Sequence, residues 1–295
     1  MRTFPKITIV TPNYNYGHFL EQTILSVINQ GYANLEYIII DGGSTDNSIE
    51  IIKKYERHLA YWVSEPDKGM YDAINKGFDR STGDIMAWLN SDDMYFPWAL
   101  KVVSEVFAGF SGVQWLSTLQ PGAVDYNGYI LDFGRFEGFN RDAFREGYHA
   151  DNKFAFGFIQ QESTFWRKEL WEKAGAYVST EVSMAGDFEL WNRFFFWANL
   201  HGLVSPLSMF RFQHRQQTSA QDQYAAQCNK ILRSFDYAPT SSGTLRRIIK
   251  KGRLDRVPGL MHIIKSKLGF ETEIVVRGDR ELPTGKWQIK KRQFM

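Results

Sequence analysis

The chain has 295 residues, of which 43% are hydrophobic and 23% charged, enough to bury one large core or two halves. Its net charge of +2 gives no ground for nucleic-acid binding, and its one cysteine, Cys228, excludes an intramolecular disulfide and suits a reducing cytosol. No run of about 18 apolar residues reads as membrane-spanning and no secretory leader is read, so the expected location is cytoplasmic.

Four strand-like runs come first, and each ends in polar residues. Ile7–Pro12 leads into Asn13, Tyr14 and Asn15. Leu35–Ile40 leads into Asp41, Gly42, Gly43, Ser44, Thr45 and Asp46, and Ala60–Ser64 into Glu65, Pro66, Asp67, Lys68 and Gly69. The apolar run Asp84–Asn90 stops at Ser91, Asp92 and Asp93. Between these runs, Leu20, Ile24, Val27 and Ile28 keep helical spacing, as do Ile49, Ile52 and Tyr55, with Thr45 or Asp46 as the cap. Tyr71–Phe78 predicts a third helix, with Gly77 near its end. Strand-helix alternation of this kind predicts an α/β fold with a mostly parallel sheet flanked by helices. Ligands of such sheets bind beyond the carboxyl ends of the strands, where all four polar clusters fall.

Asp92 and Asp93 are adjacent carboxylates that repel each other and favour hydration or a cation. At a strand end they form an oxygen site for Mg²⁺ or Mn²⁺, and such an ion holds a diphosphate; the alternative is a solvated Asp-rich turn. The cluster at 41–46 lacks the G-x-G-x-x-G spacing of dinucleotide-binding folds, and the chain has no G-x-x-x-x-G-K-[ST] loop. Its glycines let backbone approach a ligand closely, and Asp41 is placed to accept a hydrogen bond from a base or ribose.

Taken in order, Thr11–Asn15, Asp41–Asp46, Glu65–Gly69 and Asn90–Asp93 resemble the motifs of the family 2 inverting glycosyltransferases with the GT-A fold. The similarity runs from about residue 5 to 220, and the run Glu65–Gly77 resembles the subgroup that builds bacterial surface polysaccharides. The resemblance implies a nucleotide-diphosphate sugar donor, a divalent metal, and a saccharide or lipid-linked saccharide acceptor. It implies donor-nucleotide contacts from Thr11, Asn13, Asp41, Gly42, Asp67, Asn75 and Asn90, and a metal held by Asp92 and Asp93. Two positions depart from the pattern: many relatives carry Asp where this chain has Asn90, and a second Asp, able to contact uracil, where it has Gly42.

Inversion needs a base opposite the leaving nucleotide, and a partly buried carboxylate suits that role. In Met184–Arg193 the resemblance assigns it to Asp187, at the start of a predicted helix; from position alone Asp187 is equally a helix cap. Glu189 either positions the acceptor or pairs with Arg193 at i+4. Phe158–Trp166 reads as a strand and Arg167–Ala174 as a helix, with Gln161 and Glu162 either facing the acceptor or forming a polar strand face. His214, in Phe210–Ser219, sits where relatives carry a loop over the diphosphate, and is either a metal ligand or a surface residue. The implied chemistry is a single displacement of a hexosyl-type sugar, with no Ser or Cys nucleophile.

After a linker at Ala238–Gly243, residues 245–270 carry eight basic residues against Asp255 in two short amphipathic helices broken at Pro258 and Gly259. They rest on an anionic membrane surface, making the protein peripheral on the inner face of the cell membrane, or pack as a hairpin on the catalytic domain. One further strand is predicted at Glu273–Arg277. The division expected is 1–110 for the nucleotide-sugar half, 111–235 for the acceptor and base half, and 236–295 for a basic helical extension. The missing membrane spans and Gln-x-x-Arg-Trp motif argue against the processive synthases of the same broad family. Two rivals remain. A nucleotidyltransferase calls for a Gly-rich basic loop where Pro12–Gly17 stands, and a non-catalytic sugar- or nucleotide-binding protein on a degenerate transferase fold is favoured by Asn90 alone.

Overall fold

A computed structural model describes residues 4–150, 157–213, 221–235, 237, 267–278 and 285–294. The four leading runs form β1 (Ile7–Asn13), β2 (Leu35–Asp41), β3 (Tyr61–Ser64) and β4 (Ile85–Trp88), parallel and ordered β4-β1-β2-β3. Their registers align Asn13 with Asp41 and Asp41 with Ser64, so the polar ends of β1, β2 and β3 lie side by side. The strands are near-continuous in Ile, Val and Tyr because helices cover the sheet. In α1 (Gly17–Ile28), Leu20, Ile24 and Val27 are buried at helical spacing. In α2 (Ser48–Tyr55) the amphipathic face buries Ile52. In α3 (Met70–Phe78), Gly77 lies so close to Val10 that any side chain at 77 would collide with it, which fixes α3 on β1.

The sheet then widens. Beyond the two-residue β5 (Met94–Tyr95) and α4 (Ala99–Gly109), β6 (Trp115–Thr118) enters the same sheet. β7 (Gly122–Val124) and β8 (Ile130–Phe133) join a small second sheet, and α5 (Arg141–Arg145) follows. β9 (Phe165–Arg167) runs antiparallel between β4 and β6, and is followed by α6 (Lys168–Lys173) and α7 (Gly186–Trp197). β10 (His201–Leu203) pairs in parallel with β6. β11 (Ser208–Arg211) lies between β5 and β7 in the small sheet, whose order is β5-β11-β7-β8. After α8 (Gln221–Ser234), β12 (Phe270–Arg277) and β13 (Trp287–Phe294) form an antiparallel hairpin that extends the main sheet to nine strands, β13-β12-β10-β6-β9-β4-β1-β2-β3.

Two expectations are corrected. Phe158–Trp166 is not one strand: Gln161–Ser163 is a 3-10 turn, and only Phe165–Arg167 pairs in the sheet. The turn is pinned by side chains, with Gln161 Nε2 donating to Trp88 O at 2.6 Å and the Ser163 and Ser208 hydroxyls 2.5 Å apart. The extension expected at 236–295 is not wholly helical: the strand predicted at Glu273–Arg277 falls within β12, which starts at Phe270 and pairs with β13, while the helices predicted at 245–270 lie outside the described residues up to 266. At the end of α7, Phe194 and Phe195 are core, while Phe196 and Trp197 are 47% and 59% exposed.

Trp88, Trp115, Trp166 and Trp191 are fully buried and mutually packed, with neighbouring ring centroids 5.6–5.9 Å apart. With Trp171, 5% exposed, five of the nine tryptophans are core, and these four form one cluster. They cement α7 against β4, β6 and β9, which fixes the start of α7 relative to the end of β4.

Candidate active site

The end of β2 is a hydrogen-bonded hub. The Asp41 carboxylate accepts from Asn13 Nδ2 (2.7 Å), the Ser44 hydroxyl (2.6 Å), the Ser64 hydroxyl (2.6 Å) and the backbone amides of Gly43 (3.1 Å) and Ser44 (2.8 Å). Burial pushes its carboxyl up, but the bonds from Ser44, Ser64 and Asn13 outweigh this and hold it below the usual range. Five donors fill a carboxylate's lone pairs. Asp41 therefore shapes the loop ends and leaves no lone pair for a base or ribose, contrary to the expectation. Thr11 is likewise fully buried, its hydroxyl 3.1 Å from that of Tyr37. Asp46 does cap: its carboxylate receives the Ser48 amide of α2 (3.0 Å) and also the Gly17 amide of α1 (2.9 Å).

Other groups at this edge stay open. Because Asn13 gives its amide nitrogen to Asp41, its Oδ1 is fixed the other way round, and it has no partner among the described residues; neither has Asn90 Oδ1. Both are acceptors waiting at strand ends. Gly42 makes room for Asp67, since a Cβ at 42 would stand 2.6 Å from Asp67 Oδ2. Asp67 Oδ1 accepts the Gly69 amide at 2.7 Å. Asn75 is not part of this group: its amide exchanges two hydrogen bonds with the Val178 backbone, at 2.8 and 2.7 Å, and joins α3 to the loop before α7.

The acidic turn after β4 is built from several sides. The Thr23 hydroxyl of α1 reaches Ser91 O and Asp93 O, at 2.9 and 2.8 Å. Arg211 of β11, fully buried, donates its backbone amide to Asp93 Oδ1 (3.0 Å), Nε to Asp92 O (2.8 Å), one terminal nitrogen to Tyr126 O (2.9 Å) and the other to Gln22 Oε1 (2.7 Å). Gln213 donates to Asp92 Oδ2. Neither Arg211 nor Gln213 stood out in the sequence. His214, the candidate metal ligand or surface residue next to them, lies outside the described residues.

Asp187 opens α7. The Gly186 amide donates to the Tyr71 hydroxyl at 2.9 Å, and any Cβ at 186 would meet the Tyr71 ring at 2.7–2.9 Å, so glycine is required there. Tyr224 of α8 donates to both Asp187 oxygens, at 3.4 and 3.3 Å. Burial pushes the Asp187 carboxyl up to about 6, with the Phe188 amide and the Tyr224 hydroxyl pulling the other way. Glu189 is committed elsewhere. Its carboxylate forms a bidentate pair with Arg193 (2.8–3.1 Å), and Arg193 also holds the Ala174 and Tyr177 carbonyls, so Glu189 is a structural strut and not a free acceptor group.

Gln161 spends its amide on Trp88 O, while Glu162 beside it is buried with Oε1 unpartnered among the described residues. Burial, with Asp187 and Asp92 nearby, pushes the Glu162 carboxyl up to about 8. Asp93 is likewise raised, by burial first and then by Asp92 and Glu162. Asp92, Asp93, Glu162 and Asp187 thus act on one another electrostatically through Glu162. No cluster of three or more ligands exists among the described residues. A magnesium-type ion needs only one or two carboxylates when phosphates and water complete its shell, so Asp92 and Asp93 fit it.

A family model described as "Glycosyl transferase family 2" matches residues 8–172. An uncharacterized glycosyltransferase of Mycobacterium tuberculosis is 38% identical over 126 residues, which is 42% of this chain and 47% of that one. TuaG of Bacillus subtilis, named for teichuronic acid biosynthesis, is 35% identical over 96 residues, 31% of this chain and 37% of its own. The chain spans from a third to about half the length of the first curated relatives it matches. Among solved structures, S. aureus TarS residues 1–349 with UDP-GlcNAc aligns with a TM-score of 0.58 at 16% identity, covering 73% of this chain and 61% of that one. The mannosyltransferase PcManGT of Pyrobaculum calidifontis, with GDP-Man and Mn²⁺, aligns at 0.53 and 15% identity, covering 88% and 83%. At these identities the likeness is one of fold, the GT-A type.

Proposed function

The chain belongs to glycosyl transferase family 2, and on that premise we propose that it moves a hexosyl-type sugar from a nucleotide-diphosphate donor to a saccharide acceptor, in one displacement with inversion. The observation that carries this is an acidic turn after β4 beside a buried carboxylate at the start of α7, the strand and helix being joined by the stacked Trp88 and Trp191. The donor nucleotide lies against the ends of β1 to β4, where Asn13 Oδ1, Asn90 Oδ1 and the Asp67 carboxylate accept hydrogen bonds from base and ribose and Gly42 allows the close approach. Asp92, braced by Gln213 and Arg211, and Asp93 would hold Mg²⁺ or Mn²⁺. Such an ion, when bound, offsets the charge of the leaving diphosphate.

Asp187 takes the proton of the acceptor hydroxyl. The acceptor oxygen bonds to the anomeric carbon as the carbon–oxygen bond to the diphosphate breaks, and the electron pair leaves on the nucleoside diphosphate. Asp187 then returns its proton to solvent. The N-terminus of α7 steadies the base while it is charged. A carboxyl titrating at about 6 is ionised at neutral pH yet basic enough to accept a proton in the transition state.

The acceptor we propose is a lipid-linked saccharide of a surface polysaccharide, in line with the name of the Bacillus relative. The basic run at 245–267 of the sequence would then rest on an anionic membrane face. Among the described residues, no helix is long and apolar enough to cross a membrane. Release of nucleoside diphosphate from a panel of nucleotide-sugars, with cell-envelope saccharides as acceptors, tests the proposal. Turnover that Asp187→Asn abolishes supports it, and pyrophosphate release would point instead to a nucleotidyltransferase.

A further inference from the structure

We propose that Glu162 contacts the transferred sugar itself, its carboxyl taking a hydroxyl of the donor's glycosyl ring at the place where one bond breaks and the other forms. This role presupposes the transferase chemistry above. Glu162 is 4% exposed, and its Oε1 has no hydrogen-bond partner among the described residues. The turn that carries it is rigid, held by Gln161 on the Trp88 carbonyl and by Ser163 on Ser208. No Lys or Arg forms a described ion pair with it; the charged groups around it are Asp187 at the start of α7 and Asp92 and Asp93 after β4.

Burying an unpaired carboxyl is unfavourable unless something completes its hydrogen bonds. In a single displacement the sugar ring sits between the leaving diphosphate and the base. Gln161 holds the turn on the Trp88 carbonyl at the end of β4, and Trp191 of α7 stacks on the same Trp88 ring at 5.9 Å, so Glu162 stands between the acidic turn and the helix that carries Asp187, where the ring would lie. A buried carboxyl oxygen without a partner is an acceptor for a sugar hydroxyl.

Calorimetry separates this role from the alternatives. The probes are whichever of UDP, GDP, dTDP and CDP binds the wild-type chain with Mn²⁺, and the glucose, galactose, N-acetylglucosamine and mannose conjugates of that nucleotide. Glu162→Ala is expected to leave the bare nucleotide within about twofold, and to weaken the best conjugate by about tenfold, the loss of one or two well-placed hydrogen bonds. Glu162→Gln, which keeps shape and part of the hydrogen bonding, is expected to lose only a few-fold, and it carries the test if the alanine variant fails to fold. Equal weakening of nucleotide and conjugate, or none of either, overturns the assignment. Loss of the Mn²⁺ dependence in Glu162→Gln also overturns it, by making Glu162 a metal ligand. If the wild-type chain binds no nucleotide, the transferase reading falls, and the role of Glu162 with it.

Discussion

Tyr224→Phe removes one hydroxyl and keeps a ring that packs edge-on against Phe158 at 5.3 Å. That hydroxyl donates to both Asp187 oxygens at 3.4 and 3.3 Å, the long end of the hydrogen-bond range. A bond of that length to a carboxylate contributes about 0.5–1 kcal/mol, and at about 1.4 kcal/mol per unit this is roughly half a pH unit. The sign is fixed by charge. Burial raises Asp187 to about 6, while the Tyr224 hydroxyl favours the ionised form and lowers it, so removing the hydroxyl raises the pKa further. A base works when deprotonated, so wild-type kcat/KM climbs with pH through about 6 and is flat above. In the variant the climb moves up by about half a unit, the rate near pH 6 falls about twofold, and the plateau is unchanged. The assay is nucleoside diphosphate release between pH 5 and 9 with saturating metal. A climb that stays in place, or a profile lowered by one factor at every pH, would refute the idea that Tyr224 tunes the base through Asp187.

Asp187→Asn is expected to abolish turnover and yet raise the melting temperature by several degrees at pH 8. A carboxyl raised in the folded state ionises more readily when unfolded, so its destabilising effect grows from about 3.8 through about 6 and is absent below that window. Melting curves at pH 8 and pH 4 check this, and an equal change at both would contradict it. Gly42→Ala places a Cβ where the Asp67 carboxylate now stands. Asp67 can swing away only by giving up the Gly69 amide, so stability should fall by up to about 1 kcal/mol. Nucleotide affinity should fall several-fold, and calorimetry that finds it unchanged removes Asp67 from the donor site.

How much could be read in advance depended on how far each feature reaches along the chain. β1 to β4 and α1 to α3 follow local periodicity, and their polar ends had to gather at one sheet edge. The turn at Gln161–Ser163 was misread because its anchor, the Trp88 carbonyl, lies 73 residues away. The β12–β13 hairpin completes the sheet beside β10, and no local pattern announces that pairing. Asp41 looked like a ligand contact because a strand-end aspartate next to glycines offers one, but Asn13, Ser44 and Ser64 converge on it only in the fold. Glu189 and Arg193 stood at i+4, and the pairing reading was the physical one. Arg211, Gln213 and Tyr224 were missed because each acts on a carboxylate turn or base far from it in sequence.

The measurement that bears most directly on the central claim is calorimetric titration of the chain with UDP, GDP, dTDP and CDP, with and without Mn²⁺, beside Asp92→Ala. Binding of one nucleotide that needs the metal and is lost in the variant is the expected result, and it would identify the donor class. Absence of binding for every nucleotide under both conditions would contradict the account, and would leave a transferase fold used for something other than sugar transfer.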